Sequence, residues 1–428
     1  MSKSYFAIIL SFHPKKLAKY QVLIVALLVS ITHHSIASPL PELLETAVRN
    51  NPNISSKRQL RRSYETDKMA ARLRFLPSIS YTKSGMAGSN NIAVPGSTFY
   101  ALSLPLFDGG AAYYGLKKSD EQLTLSDYVI AEATTDIAVK VVSAYCEWYK
   151  DYEKSLIATD YVAKQESYFD VITERYKRGV SSKADLALAE SKLLQARSER
   201  ISYVTQVSTD LANLAVLVGR HIIDSELSEN IEAPLEINLD SDLIGLAVLN
   251  DPTLKRVKSE NLIAYDDVKI ARAQLFPQIM LQAQKQKEPG FSGASDISNS
   301  FYGITVQYFV GSGLSSFASY QASKIRAKSS SNNINTVINE ITMRMSNVIG
   351  QYKSAAEQQK FVRNSTILSS EVTDSYYRQF LQGNKPLSEV MNSVRELETA
   401  KIGMVTISSN LIEASWKILL FTAQYKLD

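Results

Sequence analysis

The chain has few of the side chains that most enzyme sites use. It contains one cysteine, Cys146, and four histidines, of which only His221 lies beyond the first 37 residues. Zinc sites and Ser-His or Cys-His relays need several histidines or cysteines that converge in space. Catalysis by carboxylates alone needs a paired-acid motif, and none stands out. We therefore expect no cofactor, no metal site and no enzymatic activity.

The first 37 residues have the pattern of an export signal peptide. Three lysines, Lys15, Lys16 and Lys19, precede an apolar run over 22–31, and small residues follow at 35–37. The run is about ten residues long, too short to cross a bilayer of about 30 Å. Removing the leader takes away four lysines and no acid, which leaves 43 of the 47 basic side chains against 43 acidic ones. A balanced charge does not favour nucleic acid as a partner.

The sequence repeats itself about two hundred residues apart, which predicts a fold with internal pseudo-symmetry. The matching landmarks come in the same order in both copies: Asn50-Asn51-Pro52 with Asn250-Asp251-Pro252, Ala71-Arg72 and Pro77 with Ala271-Arg272 and Pro277, Phe107-Asp108-Gly109 with Phe309-Val310-Gly311, and Gly179 and Asp185 with Gly383 and Glu389. Each copy is typical of a helix, two strands and a long helical hairpin.

The second strand of each copy alternates strictly between two kinds of residue. Apolar positions face one way and small or polar ones the other, at Tyr100, Leu102, Leu104 and Leu106 and at Tyr302, Ile304, Val306 and Tyr308. Such strands fit a membrane barrel or a soluble sheet packed on a helix. Two copies give only four strands, and four strands in lipid would leave two bare edges. Either these are not membrane strands, or several chains share one barrel.

The remainder of each copy is predicted to be two very long helices. Between Gly110 and Gly179 the sequence has no proline and, inside the run, only Gly115, and apolar residues later recur at coiled-coil spacing. The helices should meet at glycine turns near 179 and 383, because glycine permits the positive φ that closes a hairpin. The predicted organisation is a signal peptide (1–37), a first repeat (38–222) with strands at about 78–107, a linker (223–241) and a second repeat (242–428) with strands at about 278–309.

Together these residues resemble the TolC-like family of outer-membrane channels. The resemblance rests on the N-N-P and N-D-P motifs, on Leu-Pro-Leu-Phe-Asp-Gly-Gly at 104–110, on R-Y-K-R-G-V-S-S-K-A-D-L at 175–186 and on the segment 377–389. It implies a mainly α fold with a small β part, and a homotrimer. Four strands from each chain would form a twelve-stranded barrel in outer-membrane lipid, continued by an α-helical coiled-coil tunnel in the periplasm.

The resemblance also implies the functional residues, all at the hairpin tips. Glu389 would be an acid of the periplasmic aperture, Lys385 a lock cation and Asp185 its partner, whereas Asn392 stands where a second aperture acid is common. The implied docking surface for a periplasmic adaptor consists of Gly179, Val180, Ser181, Ser182, Gly383 and Asn384.

The resemblance finally implies a passive exit duct of a tripartite export system, with a periplasmic adaptor and an inner-membrane transporter as partners. The Leu-Phe-Asp-Gly-Gly and Gly-Val-Ser-Ser-Lys-Ala-Asp runs slightly favour type I protein secretion over drug efflux. A soluble periplasmic coiled-coil scaffold or adaptor is the alternative interpretation.

Overall fold

The computed structural model describes residues 39–425, apart from 85, 88–92, 95, 224–225, 228–236, 240, 289, 291–294 and 310. The predicted signal peptide and most of the predicted linker lie outside the described residues. Within them the chain is mainly helical with a small β part, which confirms the predicted class. None of the described helices is long and apolar enough to cross a membrane.

The two halves of the chain repeat one order of elements. The first half runs α1 (Pro39–Asn50), α2 (Pro52–Leu73), β1 (Ser78–Lys83), β2 (Met86–Ala87), β3 (Ala93–Val94), β4 (Thr98–Phe107), α3 (Ala111–Lys177) and α4 (Lys183–Val218). The second half runs α5 (Leu243–Asn250), α6 (Pro252–Ala273), β5 (Gln278–Glu288), β6 (Ile297–Gln307), α7 (Ser315–Leu381) and α8 (Leu387–Phe421). The first half adds the short β2–β3 hairpin.

The N-N-P and N-D-P motifs break each opening helix in two. The Asn51 side chain accepts hydrogen bonds from the backbone N–H groups of Asn53 (2.9 Å) and Ile54 (3.2 Å), so it caps α2. Asp251 caps α6 in the same way through Thr253 N–H at 2.7 Å. The proline after each cap lies in the first turn of the helix, where a backbone N–H would have no acceptor within the helix. The motifs are thus two equivalent helix starts.

Four strands form one antiparallel sheet in the order β1–β4–β5–β6. The register sets Leu102 opposite Ala283 and Leu281 opposite Ile304, so one face is apolar. The other face carries mainly small and polar side chains besides Phe99, Met280 and Phe301, and Thr305 donates to Gln282 across it at 2.9 Å. Large side chains of the apolar face remain exposed, with Tyr302 at 85% and Ile304 at 65%. None of the described helices or strands therefore covers the apolar face of the sheet.

The alternation predicted for β4 holds only as far as Pro105. A register irregularity between Pro105 and Phe107 places Phe107, and not Leu106, opposite Ile279 on the apolar face. Proline has no N–H to give to the ladder, which is why such a bulge is common beside it. Phe107 thus joins the apolar row, and Leu106 is the unpaired residue of the bulge.

The long helices form two hairpins that pack side by side. α3 and α7 each have 67 residues, which corresponds to about 100 Å of helix. Near the tips the helices lie side by side in the order α4, α3, α8, α7. Nearer the sheet the order of neighbouring helices is α2, α3, α6, α7. The core between them is apolar and includes the fully buried Trp148, Tyr145 and Ile418. α4 and α7 are consequently the outer edges of the layer near the tips.

A tight joint connects the sheet to the long helix of the first repeat. The Asp108 carboxylate accepts from Gly110 N–H (2.9 Å) and Ala112 N–H (2.7 Å) at the start of α3. Gly109 has a positive φ of 70°, and a Cβ there would lie 2.5 Å from the backbone oxygen of Ala273. The Phe-Asp-Gly-Gly run is thus explained by a helix cap and a close backbone approach to the end of α6.

Candidate gate at the hairpin tips

The first hairpin tip consists of a helix end followed at once by a helix start. Gly179 has φ +73°, and the N–H groups of Gly179 and Val180 donate to the carbonyls of Tyr176 (2.9 Å) and Arg175 (2.8 Å). This pair of bonds is a Schellman motif, which satisfies carbonyls at the end of α3. Val180 projects from the turn and is 62% exposed. The turn therefore presents an apolar side chain on a fixed backbone.

The second hairpin tip repeats this geometry with different side chains. Gly383 has φ +80°, and the N–H groups of Gly383 and Asn384 donate to Phe380 (3.0 Å) and Gln379 (2.9 Å). Pro386 is the N-cap of α8 and makes no side-chain capping bond. The residue after the glycine is the apolar Val180 in the first tip, whereas in the second tip it is Asn384, which is followed by Lys385. The backbone is shared, so the side chains alone distinguish the two tips.

Lys385 forms its ion pair with Glu389, one turn further along the chain. The Lys385 ammonium contacts a Glu389 carboxylate oxygen and also lies 4.0 Å from the centre of the Tyr376 ring. The hydrogen bond that the Lys385 ammonium donates to Glu389 raises the pKa of Lys385 above its ordinary value. The Glu389 side chain is 45% exposed. The structure thus brings together two of the three predicted gate residues.

The third predicted gate residue, Asp185, has a different role within the chain. Its carboxylate accepts from the N–H of Ser182 (3.0 Å), and its own N–H donates to the Ser182 hydroxyl oxygen (3.0 Å), which completes a capping box at the start of α4. No ion pair joins Lys385 to Asp185 in the described part of the chain. A contact between neighbouring chains stays a prediction.

Aromatic and apolar contacts bind the two hairpins together just above the tips. The rings of Tyr168 and Tyr377 lie 5.0 Å apart, and the Arg175 guanidinium lies 5.0 Å from the centre of the Phe380 ring. Burial raises the pKa of Tyr168 to about 12. A shared apolar cluster that includes Ile172, Leu193 and Val390 continues the contact. The tips of one chain therefore move as a joined pair unless this contact opens.

Sequence reasoning missed a charged junction that lies three turns above the second tip. Arg395 of α8 donates to Glu199 of α4 at 2.5 Å and to Glu398 of its own helix at 2.9 Å. Nearby, Lys401 of α8 lies 3.3 Å from Asp160 of α3. We call Arg395, Glu199 and Glu398 the arginine junction. Only the i, i+3 spacing of Arg395 and Glu398 was visible in the sequence, since Glu199 is 196 positions away.

Glu398 is the most strongly perturbed acid of this junction. Its side chain is 2% exposed, and its Oε1 atom has no hydrogen-bond partner among the described residues. Burial raises the pKa of Glu398 to about 7, although the charge of Arg395 lowers it in part. A buried carboxyl that is only partly ionised at neutral pH makes the contact between the hairpins sensitive to pH.

The residues that could do covalent or metal chemistry lie apart from the tips. Burial raises the pKa of the Cys146 thiol, which is 1% exposed in the core, so it stays protonated. His221 lies in an exposed connection after α4. Across the described ranges no three His, Cys, Asp or Glu side chains converge in a way that could hold a metal ion. The tips contain charge pairs and caps only.

Comparison with known proteins assigns the first repeat to a family. Residues 43–220 match the model of the outer membrane efflux protein family. The toluene efflux pump outer membrane protein TtgF of Pseudomonas putida is 27% identical over 176 residues, which cover 40% of this chain and 36% of that protein. The match with this chain thus covers about a third of the length of TtgF.

Solved structures share the fold over most of the chain. A membrane protein from Pseudomonas aeruginosa superposes with a TM-score of 0.78 at 16% identity, covering 90% of this chain and 94% of that one. The outer membrane protein VceC from Vibrio cholerae gives 0.75 at 14% identity, covering 90% and 95%. At such identities the likeness concerns the fold. Residues 43–220 thus match the outer membrane efflux protein family, and the fold over most of the chain is shared with these solved membrane proteins.

Proposed function

We propose that three copies of this chain form a passive exit duct for small molecules in the outer membrane. The observation that carries the proposal is the open four-stranded sheet, whose apolar face is exposed and whose edge strands β1 and β6 lack a further partner among the described residues. In lipid an unpaired strand edge is too costly to persist. If β6 of each copy pairs with β1 of the next, all edges are removed and a twelve-stranded barrel results.

The edge helices support the same arrangement. α4 exposes Leu194, Ile201 and Val204, and α7 exposes Phe361 and Leu368, with steps of seven and three residues in α4 and of seven residues in α7. Exposed apolar residues at this spacing are the seam of a coiled coil without its partner. Since α4 and α7 lie at opposite edges, the α4 of one copy can pack on the α7 of the next. Such head-to-tail contacts close into a ring.

A crosslink between edge strands tests the trimer. In a Cys146→Ser background, cysteines at Ser80 in β1 and Thr305 in β6 should be joined between chains by a short bis-maleimide, giving a band of trimer mass. The matched control places cysteines at Ala101 and Gln284, which are direct partners inside one sheet and should link only within a chain. Recovery as an uncrosslinked protein in the soluble periplasm would instead support a coiled-coil scaffold.

The proposed partners are a periplasmic adaptor at the tips and an inner-membrane transporter that it connects. The two tips share a rigid backbone but present different side chains, with exposed Val180 on one and Lys385 with Glu389 on the other. An adaptor can therefore bind two different tip surfaces that alternate around the ring of three chains. The family's name and its relatives' names place the protein in the outer membrane.

The proposed cargo is inferred from the names of the relatives and not from the side chains of the hairpin tips. TtgF is named as part of a toluene efflux pump, and the related SepC of Pseudomonas putida as a probable efflux pump protein. The preference for type I protein secretion has no support among them, so we propose efflux of small molecules. Growth of a deletion strain with toluene or antibiotics, compared with secretion of its exported proteins, distinguishes the two cargoes.

The Lys385–Glu389 pair is proposed as part of the gate. Lys385→Ala should raise single-channel conductance in planar bilayers several-fold, because the lysine no longer holds the start of α8 against Tyr376. Glu389→Gln breaks the same pair and should in addition weaken cation selectivity, since carboxylates that line a pore favour cations. Lys177→Ala, which breaks a comparable pair with Glu174 on the first tip, is the control and should leave both properties unchanged. Wild-type conductance and selectivity in all three variants would remove the pair from the gate.

A further inference from the structure

Three lysines stand together at one end of the apolar face of the sheet. The strand register aligns Lys83, Thr98, Lys287 and Ser298 in one row across β1, β4, β5 and β6. The next row contains Tyr81, Tyr100, Lys285 and Ser300. Residues directly opposite one another share a face, so all three lysines project on the same side. We call Lys83, Lys285 and Lys287 the lysine band.

The band lies where an apolar surface gives way to a polar one. Below it the rows are apolar: Ile79, Leu102, Ala283 and Tyr302, then Leu104, Leu281 and Ile304, then Phe107, Ile279 and Val306. The helices join the sheet at this apolar end, and the β1–β4 and β5–β6 turns lie beyond the lysines. Tyrosines next to the band, including Tyr81 and Tyr100 with rings 5.3 Å apart, are typical of a lipid–water boundary.

The charge of the band is not balanced by the protein. All three lysines are exposed, and none forms an ion pair within the described part of the chain. Glu288 is adjacent in sequence, but it lies on the opposite face, where Gln286 donates to it at 2.5 Å. Asp296, the residue before β6, accepts from the backbone N–H of Gly290 at 3.3 Å. The nearby acids are therefore engaged elsewhere.

We propose that the lysine band binds the phosphate groups of anionic membrane lipids. Lys83 and Lys287 are two strand spacings apart, about 10 Å, with the Thr98 hydroxyl between them and Ser298 beside them. This spacing suits a lipid headgroup whose chains lie on the apolar rows below. The long lysine stems can follow that apolar surface while the ammonium groups reach the phosphates. The inference rests on the proposed insertion of the sheet in the membrane.

Spin-labelled lipids test this binding with the full-length trimer in vesicles. The trimer is reconstituted in phosphatidylcholine, and the association of spin-labelled phosphatidylglycerol is measured relative to spin-labelled phosphatidylcholine by electron paramagnetic resonance. A lysine near an anionic surface contributes about fivefold in affinity, so we expect wild type to prefer phosphatidylglycerol by about fivefold or more. Replacing all three lysines (Lys83→Gln, Lys285→Gln, Lys287→Gln) should return the ratio to about one.

A second triple variant controls for net charge. Lys328→Gln, Lys353→Gln and Lys360→Gln remove three exposed lysines from α7, far from the sheet in sequence, and should keep the wild-type preference. Loss of the preference in both variants, or in wild type when inorganic phosphate is added at matched ionic strength, would overturn a lipid-specific site. A wild-type ratio of about one in well-incorporated trimers would refute the lysine band alone. Failure of the wild-type trimer to enter vesicles would contradict the proposed function as well.

Discussion

Glu398→Gln should make the protein progressively more stable than the wild type as the pH rises from 4.5 to about 7. Burial raises the pKa of Glu398 from 4.5 to about 7 in the folded chain, so the folded state holds this proton more tightly than the unfolded state. The contribution of the neutral acid is fully present below pH 4.5 and is lost as the pH rises through about 7. Glutamine resembles the neutral acid and does not ionise.

The expected difference is about 3 kcal/mol above neutral pH, because each unit of pKa shift corresponds to about 1.4 kcal/mol. It should vanish below about pH 4.5, where Glu398 is neutral in both the folded and the unfolded state. The measurement is the urea midpoint of the helical circular dichroism signal at each pH, for both proteins. A difference that does not change with pH would show that Glu398 is not buried in the assembled protein.

The groups that surround Glu398 come from three helices, so the ionisation of Glu398 affects the contact between the hairpins. The charged or titratable neighbours are Asp160, Tyr161 and Lys164 of α3, Glu199 and Tyr203 of α4, and Arg395 and Lys401 of α8. Any opening that separates α8 from α3 and α4 would return Glu398 to water. Such an opening should therefore become easier as the pH rises from 4.5 to about 7.

Arg395→Ala should destabilise the protein by about 2–3 kcal/mol well above neutral pH, where Glu398 is ionised in the folded wild type. The arginine is the cation that contacts both Glu199 and the buried Glu398, and its loss leaves a buried carboxyl without a charge partner. Removing one partner of a fully buried pair costs about 3–5 kcal/mol. The destabilisation expected for Arg395→Ala is smaller because the Arg395 side chain is 43% exposed.

A double-mutant cycle with Glu398→Gln identifies the source of this loss. If the uncompensated charge of Glu398 is the cause, Arg395→Ala should cost clearly less in the Glu398→Gln background than in wild type. Lys177→Ala removes an exposed pair with Glu174 and should leave stability nearly unchanged. Equal losses from Arg395→Ala in both backgrounds would assign the effect to Glu199 instead.

The sequence predicted the repeated architecture because its signals are local. A proline after an Asn or Asp starts a helix, and a glycine at positive φ ends one, whatever the distant parts of the chain do. The breaks at Asn51-Pro52 and Asp251-Pro252 and the turns at Gly179 and Gly383 therefore lie where the residues indicate. The alternation in β6 is likewise local and is present in the sheet.

The pairing of charges could not be predicted from local signals. Asp185 satisfies the backbone at the start of α4, which competes with any contact to Lys385 and favours the pair between Lys385 and Glu389. The bulge after Pro105 brings Phe107 into the apolar row opposite Ile279, because proline has no N–H to give to the ladder. Both outcomes depend on which of several partners comes closest in space.

By itself, the sequence determined the duplicated helix–strand–hairpin unit and the scarcity of catalytic side chains. Only the tertiary structure decided that Arg395 meets Glu199 across 196 positions and that Glu398 is buried beside it. It also aligned Lys83 with Lys287 across three strands. The physical reason is that helix ends and strand periods depend on neighbouring residues, whereas burial and charge pairing depend on how separate elements pack.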